Sequence, residues 1–369
     1  MITQSVALLL AATTMAAPVT KWHTAPPFPL PAGATDTILQ DVTAAVPGEV
    51  WFAGSWRDSG GTLHPLTARW SGSAWRPVPA PGTQILTAID AVGAGDVWAV
   101  GSTTEPGDST PVVLHYVDSA WSAVPTEQTP ADSALADVDL RTADDGWAAG
   151  TSGASPLILR WSSERWTRTP VPDLGAPARL TSVFARGPAD AWAVGSRQRD
   201  DGRDAPLALH WDGVAWQAVD VPDLAAGELT SVAGAGTEVW AAGTRCGDTE
   251  LTPCTALVVR RSGDTWQQLP PVAGTEVTGL VPFAAGDVWT VGYTITATDV
   301  EIGHVEHWDG RRFSVDPSPL PGPGGTDPNG QPASATPIAA GAGDRSSGRV
   351  WAVGWSTGPI RVPNVIYRD

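Results

Sequence analysis

Three observations predict an all-β chain folded as a seven-bladed β-propeller, each blade a four-stranded antiparallel sheet and the ring closed by an N-terminal strand. A short motif built on Trp and Gly occurs seven times, at spacings of 47, 49, 45, 48, 49 and 62 residues. Periods near this length mark a radial array rather than a helical solenoid. Between the copies, apolar residues alternate with a period of two, the mark of half-buried strands. Of 369 residues, 40 are Gly and 34 are Pro, which suits many short strands joined by turns.

The copies are EVWFAG at Trp51, DVWAVG at Trp98, DGWAAG at Trp147, DAWAVG at Trp192, EVWAAG at Trp240, DVWTVG at Trp289 and RVWAVG at Trp351. The fourth unit shows the plan. LTSVFA (180–185) reads as strand a, DAWAVG (190–195) as strand b, PLALHW (206–211) as strand c and AWQAVDV (215–221) as strand d. The aromatic residue ending strand c is followed five residues later by another. The pairs are Trp70/Trp75, Tyr116/Trp121, Trp161/Trp166, Trp211/Trp216 and Trp308/Phe313, with Arg261 replacing the first aromatic before Trp266. A tight turn such as Asp-Gly at 212–213 fills the gap, a hairpin signal. The seventh unit ends at Tyr367-Arg368-Asp369 and lacks strand d. Joining Asp369 to Thr20 puts Trp22 five residues after Tyr367. The N-terminal segment is therefore expected to supply the missing strand and remove exposed sheet edges. Residues 20–369 then form one domain.

The repeated Trp residues are expected to be structural, filling the wedges between blades. A charge pair also repeats. Glu49, Asp96, Asp145, Asp190, Glu238 and Asp287 stand two residues before the strand b Trp. Arg69, His115, Arg160, His210, Arg260 and His307 stand just before the strand c aromatic position. In the seventh blade Arg349 replaces the acid and Ile366 the base. Joint loss implies that the two positions meet, so these His residues are expected to be partners of carboxylates rather than catalysts.

The run from VWAVG to the HWDG…W hairpin resembles propellers of the kelch and tectonin kind, and secreted propellers common in actinobacteria. A single Lys (Lys21) against 21 Arg suits a GC-rich genome. The resemblance covers residues 20–369 and implies architecture more than activity. Kelch-type propellers include a copper oxidase of sugars, which needs His ligands and a Tyr joined to a Cys. Here only Tyr116, Tyr293 and Tyr367 exist, and two of them fall at the repeated structural position. A sialidase-like propeller would repeat an SxDxGxTW turn, and SGDTW at 262–266 is a single poor match. No GxSxG, HExxH or phosphate-binding Gly loop occurs. DPNG at 327–330 and RDDGRD at 199–204 are too short for a calcium loop. No metal, cofactor or catalytic residue is expected.

The net charge of −17 argues against nucleic acid, whose phosphates would be repelled. The longest apolar run, Val6 to Ala12, is too short for a membrane span. Residues 1–17 resemble the back half of a secretory signal peptide, although no basic residue opens it; a frayed apolar terminus is the alternative. Cys246 and Cys254 are the only cysteines. A local disulfide is the simple reading and implies an oxidising, extracellular setting; two unpaired thiols are the alternative. The chain is expected to act as a monomer.

Short a–b and c–d turns occupy one side of the ring. Longer, variable b–c and d–a connections share the other, among them RDSGGTLH (57–64), RQRDDGRDA (197–205) and the Pro/Gly-rich run 317–332. Variable loops on a rigid scaffold are where binding resides. Four residues after the strand b Trp, five blades carry Ser or Thr, whereas the sixth and seventh carry Tyr293 and Trp355, and blade one adds Trp56 a place later. His64 and His304 are placed in b–c loops of the same sector, with Asp299 and Glu301. These seven residues are the candidate ligand site; the alternative is that Tyr293 and Trp355 pack beneath the long loop. The expected function is a secreted, non-catalytic binding module for a glycan or protein. The other class is an extracellular glycan-processing hydrolase or lyase with carboxylates at the ring mouth.

Overall fold

The structure, a computed structural model, describes residues 21–103, 108–222, 226–247, 253–270, 272–297, 300–316, 320, 338–356 and 361–369. The signal-like segment 1–17, Asp299 and nearly all of the 317–332 run lie outside the described residues. Among those described there is no helix, only strands grouped into seven antiparallel four-stranded sheets. Six sheets take their strands in chain order. The seventh combines Ile338–Asp344, Arg349–Ser356 and Val362–Arg368 with the N-terminal strand Trp22–Thr24. The ring is thus closed by its N-terminus, as expected.

Closure corrects the expected register by one residue. Trp22 pairs with Arg368, and Trp351 lies opposite Tyr367. Elsewhere the strand b Trp faces the basic residue, as Trp98 faces His115. Tyr367 therefore stands in the place of the base, not Ile366, and Arg368 takes the strand c aromatic position. An aromatic ring at Tyr367 imitates the hairpin signal, so the sequence pattern points one residue early. Arg368 behaves as Arg261 does in blade five. Each lays its guanidinium on the preceding blade's Trp, Arg261 at 4.9 Å from the Trp192 ring centre and Arg368 at 4.4 Å from that of Trp289. A planar cation substitutes for an aromatic plane because both are attracted to an indole face.

The Trp residues do fill the wedges. Trp51 packs against Tyr116 and Trp121 of the next blade, Trp98 against Trp161 and Trp166, Trp147 against Trp211 and Trp216, and Trp240 against Trp308. Trp351 meets Trp70 across the closure. Each strand b Trp is thus seated in the neighbour's c–d hairpin, and most are fully buried.

The innermost strand of every blade carries a β-bulge, at Gln40, Thr87, Ala136, Thr181, Thr230, Thr278 and Ala339. A bulge bends the strand and increases its twist, and here it turns one residue per blade toward the axis. These seven residues line a polar axial channel. The bulge also explains the motif's Gly. An added Cβ at Gly101 would overlap the carbonyl oxygen of Ile85, and Gly54, Gly150, Gly195, Gly243 and Gly292 meet the equivalent carbonyl.

Past Thr24 the chain runs on as a strap. The Ala25 N–H donates to the Val365 carbonyl at 2.9 Å. The indole N–H of Trp75 donates to the Pro26 carbonyl at 2.5 Å, and Phe28 packs on the Trp75 ring, 5.6 Å between centres. Phe28 belongs to a core shared by blades seven and one. The N-terminal segment therefore both completes the last blade and belts it to the first.

Candidate functional site

Repetition accounts for one recurring set of ionisable groups. All six expected charge pairs form: Glu49–Arg69 at 3.4 Å, Asp96–His115 at 2.8 Å, Asp145–Arg160 at 3.3 Å, Asp190–His210 at 3.0 Å, Glu238–Arg260 at 3.6 Å and Asp287–His307 at 2.8 Å. Each base also lies over its own strand b Trp, as His115 does over Trp98 at 3.9 Å and Arg160 over Trp147 at 5.1 Å. In four blades the indole N–H donates to the same acid, as Trp51 does to Glu49 at 2.9 Å. In blade seven Arg349 lies 5.0 Å from the Tyr367 ring centre and pairs with Asp369 at 2.9 Å. These groups tie strand c to strand b within each blade and cover its Trp.

A second set of carboxylates lies near the channel. The sequence reading did not single them out. Asp41 accepts the Ile89 N–H of the next blade at 2.9 Å, Asp90 the Leu140 N–H at 2.7 Å, and Asp137 the Val183 N–H and Ser182 hydroxyl, each at 2.8 Å. Asp139 accepts from Ala185. Ser182 and Ser231 fill the same role in blades four and five. Burial raises all four Asp above the usual carboxylate range, Asp137 to about 6, and the other aspartates repel Asp41, Asp137 and Asp139 in the same direction. Asp41, Asp137, Ser182 and Ser231 directly follow their bulges, and Asp90 and Asp139 stand three residues after theirs, a pattern that shows only once the register is known.

The loop face carries the cavities. Blades one and four have a groove at the same place, between the incoming d–a connection, the b–c hairpin and strand d. In blade four it measures about 790 Å³ and is lined by Arg197, Ala205, Ala218 and Asp220. In blade one it measures about 390 Å³, and the equivalent positions are Trp56, His64, Pro77 and Pro79, with Pro29 and Pro31 from the strap. Trp56 pairs with His64 across the hairpin, their rings stacked with centres 4.4 Å apart. Asp58 holds His64 Nε2 at 2.9 Å and also accepts the N–H groups of Gly60 and Thr62. Those bonds lower the Asp58 pKa, the one to His64 most.

Three candidate residues expected in the b–c loops lie in strands instead. His64 lies within strand c of blade one (Leu63–Trp70) and His304 within that of blade six (Glu301–Trp308), which Glu301 opens. The b–c hairpins pair closer to their tips than the polar composition implied. Tyr293 lines a different cavity, a trough of about 430 Å³ across blades four to six, with Arg179, Glu228, Glu276 and Ile295. Its hydroxyl donates to Glu276 at 2.7 Å. Burial, with Glu228 and Glu301 nearby, raises the Glu276 pKa despite that bond, and burial and Glu276 raise that of Tyr293 well above normal. Cys246 and Cys254 form a disulfide on the wall of this trough. His304 Nε2 lies 3.1 Å from the buried Glu306, which also accepts the Ala273 N–H. Trp355 is half-buried in strand b of blade seven, opposite Pro363. The structure thus brings Trp56 to His64 and Tyr293 to Glu301. Among the described residues no ring contact joins Trp56, Tyr293 and Trp355.

The geometry defines a seven-bladed propeller closed by its N-terminus. No protein-family model and no curated protein matches the sequence. Solved structures do match. YCF48 from Cyanidioschyzon merolae is 14% identical, covering 94% of this chain and 98% of that one, with a TM-score of 0.56. The propeller domain of the Trilobed protease from Pyrococcus furiosus is 9% identical over 91% and 94%, with a TM-score of 0.54. That domain has an open velcro topology, whereas here the ends meet. Trypanosoma rangeli sialidase is 9% identical over 96% of this chain, with a TM-score of 0.52. This chain spans 60% of the sialidase's length. These likenesses establish the fold alone.

Proposed function

We propose that the chain is a secreted, non-catalytic binding propeller of the kelch or tectonin kind, holding a glycan or protein on its loop face. The observation that carries this reading is the Trp56–His64 stack. The groove recurs in blade four without aromatic residues, so blade one's aromatic lining is not required by the fold. Trp56 is half-buried, leaving part of its ring in the groove, and aromatic surface in a groove is the usual anchor of recognition. The commitment of most repeated acids and bases to blade packing supports a role without chemistry. The disulfide fits an oxidising compartment, and the charge of −17 disfavours nucleic acid. The proposed ligand surface runs from Trp56 and His64 past Trp355 to Tyr293, Glu301 and His304, with Asp299 beside Glu301 in sequence. Screening the purified protein against glycan and peptide arrays tests the reading. Trp56→Ala is expected to weaken the best binder at least tenfold at an unchanged melting temperature; full binding by that variant would place the site elsewhere.

One observation favours the hydrolase reading. Glu276 is buried with a raised pKa beside Glu228 and Glu301, the setting of a general acid. A panel of glycosidic substrates, with Glu276→Gln as the control, decides this. Turnover lost in that variant would establish catalysis.

A further inference from the structure

We propose that the blade-one groove binds an extended, proline-rich peptide in the polyproline II conformation. The proposal deepens the binding reading above and rests on it. The chain already shows the mode of recognition on the same blade. Its own segment APPFPLP (25–31) lies against blade one, where Trp75 donates its indole N–H to the Pro26 carbonyl at 2.5 Å and packs its ring on Phe28. Consecutive prolines favour an extended helix with no internal hydrogen bonds and free carbonyls. An aromatic plane with an N–H at its edge matches both features, and that is how proline-rich segments are generally read.

The groove repeats this chemistry one step along. Its wall is the far end of the strap, Pro29, Leu30 and Pro31, so an incoming peptide would continue a surface that already accepts prolines. Leu30 is 45% exposed there, unusual for a large apolar side chain with no partner over it. Trp56 is held flat by the His64 ring, and His64 is fixed by Asp58. Among the described residues the Trp56 indole N–H has no hydrogen-bond partner, and it is not among the buried unsatisfied donors. It stands as a second donor of the kind Trp75 already uses. The opposite wall, Pro77, Val78 and Pro79, offers little to a sugar's hydroxyls, since prolines carry no N–H. Thr67 is committed to the Val78 carbonyl. The lining therefore favours a ligand that is itself apolar and pre-extended, one that loses little entropy on binding.

Fluorescein-labelled decaproline, followed by anisotropy against the full chain, is the direct probe. Saturable binding is expected, weakened at least tenfold in Trp56→Ala and clearly but less in Trp56→Phe, which keeps the ring and loses the N–H. His64→Ala should weaken it by removing the backing of the ring. Equal melting temperatures for wild type and variants exclude unfolding as the cause. A folded wild type that ignores decaproline overturns the proposal, as does binding that Trp56→Ala leaves intact. If decaproline fails but an array glycan binds and is lost in Trp56→Ala, the peptide is wrong and the binding face stands. If neither array ligands nor decaproline bind, both readings fall.

Discussion

At the scale of single residues, one arrangement repeats around the ring: an acid, a base and a Trp. The acid at the head of strand b meets a base on strand c, and the base covers the Trp of its own blade. A His and an Arg serve equally because each offers a donor at its edge and a flat face. Asp190 shows the balance. Burial works against its ionisation, yet hydrogen bonds from Arg186 and His210 outweigh that, and its pKa is lowered. The pair is about a third exposed, so its contribution is modest, on the order of 0.5–1 kcal/mol. A double-mutant cycle with Asp190→Asn and His210→Gln is expected to give a coupling in that range. A value near zero would mean that the pair is geometry without energy.

At the scale of elements, the strap is the connection on which the ring depends. It contributes a strand to blade seven, a buried Phe28 to the core shared with blade one, and a carbonyl to Trp75. Deleting residues 21–31 should lower the melting temperature by roughly 8 °C or more, since it removes two buried aromatic residues, Trp22 and Phe28, each worth about 3 kcal/mol or more. A shift of only a degree or two would show that the ring does not need its closure. The blades and the closure were legible because Trp, Gly and hairpin pairs have fixed spacings. The bulges were not read, although in blades one to six each leaves a mark: buried apolar residues stand three apart across it, as Leu39 and Val42 do, instead of two. The blade-seven register was misread by one because Tyr367 carries the right kind of side chain on the wrong strand position. At the candidate site the aromatic residues were recognisable from broken repeat rules, but the partners that orient them, Asp58, Glu276 and Glu306, have no such mark. Nor could spacing reveal that Trp56 and Tyr293 line separate cavities.

At the scale of the whole molecule, the blades are stitched near the axis by side chains that accept N–H groups from the next blade. In blades one to three these acceptors are carboxylates, and their burial gives stability a definite dependence on pH. Asp137 titrates near 6 in the fold and near 4 in an unfolded chain. The folded form therefore holds a proton that the unfolded form has released between those values. Its stabilisation is complete below about 4 and is lost as pH rises through about 6, on the order of 3 kcal/mol. Asp41, Asp90 and Asp139 act with the same sign. Asp344 acts with the opposite sign. Burial opposes its ionisation, but the hydroxyls of Ser346 and Ser347 overcome that and depress its pKa to about 2. Its stabilisation is present above about 4 and disappears toward 2. The two sets together put the maximum stability between roughly pH 4 and 5, close to the isoelectric point of about 4.6, where self-repulsion is also least. The melting temperature of the wild type should therefore fall between pH 5 and pH 7.5. Asp137→Asn should melt lower at every pH, because an amide cannot accept all three of the bonds that Asp137 takes from the Val138 and Val183 N–H groups and the Ser182 hydroxyl, yet its decline with pH should be shallower. A melting temperature that rises over this range, or a variant as steep as the wild type, would mean that these carboxylates are ionised in the fold and that their backbone N–H donors outweigh burial.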